Sequence, residues 1–453
     1  MSRAVVVGAG VAGLSTALRL ADSGVEVIVL ERRRAAGGRV RQIEAGGGRA
    51  PLDCGQHLML GCYRETLAFV SRLGTSERVS QVEGPTPFVT GDARVHPYGL
   101  WKLPAPFHTV RAVAGLNHLG LRDRLKLGLA AVSAKTGRGA RRDALDVISA
   151  RRWLRNCRQG GRAISGFWEP LVLATLNTPI DEASALLFAT VIEKGFLAGR
   201  EEATPLLPRS TLHDLFVDPA ISALRLRGAH VAFGQDVVSL QDDGRGGVAA
   251  VTTASGERVP ADAFVIAVPS WDIGALCQEG RWASLAGAAR ALGSSAIITV
   301  NLWFDRPWLS YPMAGFVGGA MHWVFSRRER GPDGGDPGGY RVALVMSAAD
   351  AWVREGNTAI VARCLEECRR YFPESRTANL RSSLVLKFPR ATFRARAGQG
   401  SRRAACTSPC QNVRLAGDWT ATGLPATIEG AVLSGNRAAA EVLTFLGAQD
   451  GRR

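Results

Sequence analysis

The sequence predicts an α/β protein: a Rossmann-like parallel-sheet domain with a small β-meander, joined to an α+β domain with a mixed sheet and helices. Three observations predict it. "RAVVVGAGVAGLSTALRLADSG" opens the chain as an apolar strand, a glycine turn and a helix. "NVRLAGDWTATGLPATIEGAVLSG" repeats that order near residue 417. Between them, "GAHVAFGQDVVSLQ" and "GVAAVTTASGERVPADAFVIAVP" alternate apolar and polar residues around the turn "DDGRGG", as short strands of a meander do, with "AFVIAVP" a buried strand.

The first junction reads as a nucleotide site. Gly8 permits the tight turn, Gly10 lets a pyrophosphate approach the backbone, and Gly13 lets the helix pack on the strand. The helix start then offers free N–H groups and partial positive charge to phosphate. "VEVIVLE" is the second strand and closes a βαβ unit. Its last residue, Glu31, stands 18 positions after Gly13, where an acid takes the ribose hydroxyls and disfavours a 2′-phosphate. Arg32 follows it and is counted with the site.

"ERRRAAGGRV" supplies Gly37, Gly38 and Arg39. Nicotinamide dehydrogenases have no need of such an element, whereas an extended FAD needs further donors beyond the first loop. A glycine doublet that admits the backbone and an arginine that pairs with phosphate meet that need. The plainer reading is a surface turn with a solvated arginine. At the far end Gly417-Asp418 closes a strand, and a helix begins near Thr427. Asp418 can accept from ribityl hydroxyls, and the N–H groups of Thr427 and Ile428 can meet the pyrimidine edge of the flavin. One junction then serves the adenosine half of FAD, the other the flavin half.

With these elements in place the chain resembles the FAD-dependent amine oxidase and carotenoid desaturase superfamily over essentially its full length. The resemblance implies that Val237 reaches the adenine through its backbone, and that the segment holding Gln56 and His57 runs beside the flavin. A narrower resemblance rests on "LDCGQHLMLGCYRETLAFV", on "PLVLATLNTPIDEASA" around Asn177, and on the C-terminal stretch. These are similar to the squalene-associated FAD-dependent desaturases, better described as hydroxysqualene dehydroxylases. That likeness implies reductive removal of a hydroxyl from hydroxysqualene, giving squalene for hopanoid or sterol-type lipids. Two other readings stay open: an oxidising carotenoid desaturase or amine oxidase, and a non-catalytic FAD-bound protein that delivers lipid. Against an amine oxidase, Trp419 is the only aromatic near the C-terminal motif, too few for a cage.

Loss of hydroxyl as water needs a proton, so a general acid is expected. His57 is the first candidate and Glu169 the second, each set against an ordinary wall role. Trp168, Phe167, Trp323 and Phe325 can line a cavity and steady a cation through their π faces, or simply pack a core. No second nicotinamide loop is present, so electrons are expected from an external donor.

The expected layout is a cofactor domain at 1–61, 226–271 and 391–453, and a substrate domain at 62–225 and 272–390. "PDGGDPGG" at 332–339 reads as a mobile loop. The formal charge of +16 suits nucleic acid, an anionic membrane or a phosphorylated ligand. Only five of the 56 basic residues are lysine and no binding module accompanies them, so nucleic acid is not expected. Residues 101–142 mix Leu, Phe, Trp and Ala with nine basic residues and one acid. They suit a flap resting on anionic headgroups and admitting a long apolar isoprenoid, or a solvated helical hairpin.

Residues 4–18 are uncharged, but the helix continues through Arg19 and Asp22. Residues 307–326 are broken by prolines and glycines. No transmembrane segment is expected, and the location expected is cytoplasmic, peripheral at the inner face of the membrane. The eight cysteines form no disulfide scaffold. The pairs Cys364/Cys368 and Cys406/Cys410 lack the two-residue gap of a zinc ribbon, so free thiols and no metal are expected.

Overall fold

The computed structural model describes residues 2–46, 49–136, 140–276, 280–328 and 339–450. The "PDGGDPGG" stretch lies outside the described residues except for Gly339. In chain order, β1 (Arg3–Val7), α1 (Val11–Asp22) and β2 (Glu26–Glu31) form the opening unit. There follow α2 (Arg64–Arg72), β3 (Thr86–Thr90), β4 (Val95–Tyr98), α3 (Leu121–Thr136) and α4 (Glu169–Leu176). Next come β5 (His230–Phe233), β6 (Val237–Asp242), β7 (Val248–Thr253), β8 (Arg258–Pro260) and β9 (Ala263–Ile266). The remainder holds β10 (Ser294–Phe304), β11 (Met313–Val317), β12 (Trp323–Arg328), β13 (Tyr340–Ser347), α5 (Asn357–Tyr371), β14 (Leu380–Phe393), β15 (Val413–Leu415) and α6 (Ile428–Asp450).

Five strands make one parallel sheet in the order β5-β2-β1-β9-β15. Its central strands are apolar without alternation because helices or other elements cover both faces. Val5, Val6, Val29, Phe264, Val265 and Ile266 are fully buried, each aliphatic side chain contributing about 1.5–3 kcal/mol. β6, β7 and β8 form an antiparallel meander. The sequence places "HVAF" with that meander; the structure places it as β5 at the edge of the parallel sheet, paired with β2. A half-covered edge strand alternates like a meander strand, so periodicity does not say which sheet it joins.

The second sheet has seven strands in the order β14-β10-β13-β12-β11-β3-β4. Ile298, Val300, Leu302 and Phe304 of β10 turn to one face and pack with Ile360, Cys364, Cys368 and Tyr371 of α5. That packing accounts for the two thiols, which are buried and free. The strand read from "GAMHWVF" begins only at Trp323. The preceding N–H groups of Ala320 and Met321 donate instead to the Glu367 carboxylate at 2.8 and 2.9 Å.

α1 and α6, from opposite ends of the chain, lie against each other. A β-carbon on Gly435 would stand 2.4 Å from the Ala12 carbonyl oxygen and 2.2 Å from Ser15 Oγ. The Thr16 hydroxyl donates to the Gly435 carbonyl at 3.1 Å.

Candidate functional site: two glycine junctions and the wall above them

The first junction is a backbone cradle. Gly8 has φ +107°, and a β-carbon there would stand 2.8 Å from the Ala267 carbonyl oxygen. One on Gly13 would stand 1.9 Å from the Gly8 carbonyl oxygen, so helix and strand touch. Gly10 differs: nothing lies within 4 Å of its missing β-carbon. It caps α1 and opens onto space beside the helix start, as close approach by a phosphate requires. The doublet completes the cradle. Gly37 and Gly38 have φ +110° and +55°, and the Gly37 N–H donates to the Ala9 carbonyl at 2.8 Å.

Glu31 ends β2 beside this loop, 6% exposed. Its carboxylate accepts from the Ala9 N–H at 2.8 Å and the Arg33 N–H at 3.0 Å, which fixes the acid against the glycine turn. The chain returns to the same corner before the meander. The Gly234 and Gln235 N–H groups donate to the Arg33 and Glu31 carbonyls, both at 2.9 Å, and bring Val237 close by. Arg32 pairs with Asp272 at 2.9 Å, and the neighbouring Trp271 ring lies 5.9 Å from the Arg39 guanidinium.

The second junction is equally constrained. Gly417 has φ +143°, a region that disfavours any β-carbon, and its N–H donates to Ser434 Oγ at 2.8 Å. Thr427 caps α6, its hydroxyl accepting the Gly430 N–H at 3.0 Å. Ile428 then begins the helix, where first-turn N–H groups have no partner within the helix. Arg39 and Asp418, read separately in the sequence as cofactor residues, bind each other as well. The guanidinium donates to both carboxylate oxygens, at 2.6 and 2.9 Å.

His57 is half-buried in a loop that meets Thr299 of β10 at Gly55, while Arg39 itself donates to the Ala391 carbonyl of β14 at 3.2 Å. Burial and the charge of Arg39 lower its pKa to about 4. At neutral pH the imidazole is therefore uncharged, and it can offer a neutral N–H but not an imidazolium. Gln56 is half-buried beside it. Glu169, at the start of α4, pairs with Arg151 at 3.4 Å, and Arg151 also holds Asp181. Burial raises the Glu169 pKa and Arg151 lowers it, the first effect being larger.

Three of the four aromatics singled out in the sequence form one chain of rings. Trp323 meets Phe88 at 5.6 Å, Phe88 meets Phe167 at 6.3 Å, and Phe167 meets Trp168 at 4.8 Å. Phe325 lies with Met313 and Val345 in an apolar wall, to which Leu58, Ile297 and Trp323 add. Asn177 serves the fold instead. At φ +48° it ends α4, accepts the Ala348 N–H at 2.6 Å and donates to Thr392 at 2.9 Å.

Two charged residues of the second junction escape the sequence reading. Arg403 is buried and donates to the carbonyls of Asp418, Trp419, Thr420 and Leu424. It thereby shapes the turn that leads to α6. Burial lowers its pKa to about 10, against the opposing charge of Asp418. Glu429, in the first turn of α6, reaches across to accept the Glu65 and Thr66 N–H groups that start α2, at 3.1 and 2.9 Å. One arginine among many, and one helix-start acid, carry no motif that marks them.

The flavin containing amine oxidoreductase family model matches residues 11–443. A hydroxysqualene dehydroxylase from Sinorhizobium fredii is 31% identical over 96% of this chain and 96% of its own. A 15-cis-phytoene desaturase from Synechococcus elongatus is 25% identical over 97% and 96%. Among solved structures, an oxidoreductase from Methanosarcina mazei superposes with a TM-score of 0.73 at 19% identity, covering 96% of this chain and 99% of that one. Putrescine oxidase bound to putrescine gives 0.71 at 18% identity, covering 98% and 99%. The open Gly10 cradle, the glycine doublet and the α6 start fit the cofactor of that family, and the protein is an FAD-dependent oxidoreductase. The chain belongs to the flavin containing amine oxidoreductases and, within them, to the hydroxysqualene dehydroxylases.

Proposed function

We propose that the protein removes the hydroxyl of hydroxysqualene reductively, releasing squalene and water for hopanoid or sterol-type lipids. The observation that carries this reading is near-full-length kinship, at 27–31% identity, with three chains named hydroxysqualene dehydroxylase. Bound FAD supplies two electrons, refilled by an external donor. With two protons they convert R–OH to R–H and water, so the balance closes. The apolar wall of Ile297, Met313, Trp323, Phe325 and Val345 excludes water and receives the polyprenoid. His57, neutral at working pH, donates a hydrogen bond toward the departing oxygen rather than delivering a full positive charge.

An oxidising desaturase is the second reading, favoured by the 25% identity to a phytoene desaturase. Incubation with chemically reduced FAD and either hydroxysqualene or phytoene separates the readings. Squalene formation supports the dehydroxylase, new double bonds in phytoene the desaturase. Tight polyprenoid binding without turnover indicates a lipid carrier and overturns both.

The proposed function includes peripheral docking on the inner face of an anionic membrane. Leu121, Leu125, Leu129 and Val132 form one exposed stripe on α3, with Leu125 72% exposed, while Leu127, Ala130 and Ala134 bury the opposite side. Trp101, Leu103 and Phe107 are exposed in the segment before it. Arg122, Lys126 and Lys135 are exposed on the same helix, the charge that anionic headgroups attract. Among the described residues no helix is long and apolar enough to cross a membrane. Flotation with acidic and neutral vesicles tests the docking: binding to acidic vesicles alone is expected, and binding to neither sinks it.

A further inference from the structure

The apolar wall contains two groups that such a surface ordinarily excludes. Thr299 and Asn301 alternate along β10 with Ile298, Val300 and Leu302, which pack toward α5. They therefore share the opposite face, in line with Ile297 of the wall. Each is 1% exposed. Among the described residues, Thr299 Oγ1 and Asn301 Nδ2 have no hydrogen-bond partner. The other end of that amide, Asn301 Oδ1, accepts from the buried Arg341 at 2.8 Å, so Nδ2 is the end left over.

Unpaired buried polar atoms are destabilising. Two on one strand face, beside an apolar wall, call for a partner that the protein itself does not supply. Their position says which ligand. A β-carbon placed on Gly55 would stand 3.5 Å from Thr299 Oγ1 and 4.0 Å from His57 Nε2. The hydroxyl and the imidazole thus both flank Gly55.

We propose that Thr299, with Asn301 beside it, is the subsite that holds the hydroxyl oxygen of a hydroxylated polyprenoid, while the apolar wall receives the chain. This rests on the dehydroxylase reading. The Thr299 hydroxyl both donates and accepts, so it pairs with an alcohol oxygen as well as with the water that leaves. Asn301 Nδ2–H adds a donor oriented by Arg341. A hydrocarbon product leaves both groups unpaired again, which favours its release and makes the site discriminate substrate from product.

The test uses the FAD-loaded enzyme and two probes, hydroxysqualene and squalene, with binding read from the perturbed flavin absorbance. Thr299→Val keeps the shape and removes the hydroxyl; Thr299→Ser restores it. Expected is about a tenfold weaker affinity of Thr299→Val for hydroxysqualene, unchanged affinity for squalene, and recovery in Thr299→Ser. Equal weakening of both probes would mean packing alone and overturns the proposal, as does no change in either. Loss of FAD itself without discrimination between the probes makes Thr299 a cofactor contact and also overturns it. If the unaltered enzyme binds neither probe, the dehydroxylase reading fails and this subsite falls with it.

Discussion

Arg39 and Asp418, 379 residues apart, hold each other through paired hydrogen bonds of 2.6 and 2.9 Å. The arginine follows the glycine doublet of the first junction, and the aspartate follows the left-handed glycine of the second. Asp418 is almost wholly buried, Arg39 partly open. The ion pair therefore sets the separation of the two halves of the cofactor cradle. Asp418→Ala should cost about 1–3 kcal/mol of stability, the lower range reflecting the partial exposure of Arg39. It should also yield protein with less bound flavin, seen as a lower visible-to-ultraviolet absorbance ratio. Arg39→Lys should fall between, because an ammonium cannot reproduce the paired geometry.

Gly10 and Gly435 should part company when replaced by alanine. At Gly10 the added methyl meets open space, so the flavin-free protein should unfold as before while FAD affinity drops. At Gly435 it would strike Ser15 and the Ala12 backbone. Overpacking there should cost about 1–3 kcal/mol and separate α1 from α6. Urea unfolding and flavin titration of the two variants check both halves.

Arg403 is expected to matter more than its place in an arginine-rich stretch suggests. Arg403→Met leaves four carbonyls of the 418–424 turn without their donor, a loss of about 3 kcal/mol or more. Arg403→Lys should not rescue it, since one ammonium cannot span those acceptors. Thermal unfolding and flavin content report the outcome.

His322 supplies a pH dependence. Burial lowers its pKa to about 4, and its Nδ1 accepts the Ser347 N–H at 2.9 Å. The unfolded chain, with an ordinary histidine pKa near 6.5, takes up the proton first. Stability from this residue is complete above about pH 6.5 and declines as pH falls toward 4, by about 3 kcal/mol in all. His322→Asn keeps an acceptor for Ser347 and removes the titration, so its stability should depend less steeply on pH in that window. His57, shifted the same way, keeps part of the slope in place.

The parallel sheet and its two glycine junctions were legible because their constraints are local. A β-carbon at Gly8, Gly13 or Gly417 meets backbone or a ring a few ångströms away, and such positions show as glycine in any reading. The sheet to which "HVAF" belongs was not legible, because half-covered strands alternate alike wherever they pair. Arg403 and Glu429 were hidden for another reason: each acts on backbone groups of a distant turn, and nothing in the neighbouring letters marks that reach. The wall is an intermediate case. Trp323 and Phe325 declared themselves as aromatics, whereas Thr299 and Asn301 gain meaning only once their partners are seen to be missing.

The order β5-β2-β1-β9-β15 has a consequence for synthesis on the ribosome. β1, α1 and β2 are made well before β15 and α6, which span residues 413–450. Until residues 428–450 are made, α1 keeps apolar surface uncovered, because the helix that packs on it is not yet present. Coenzyme capture then waits for β15 and α6, and the nascent protein is a natural client for chaperones until that moment.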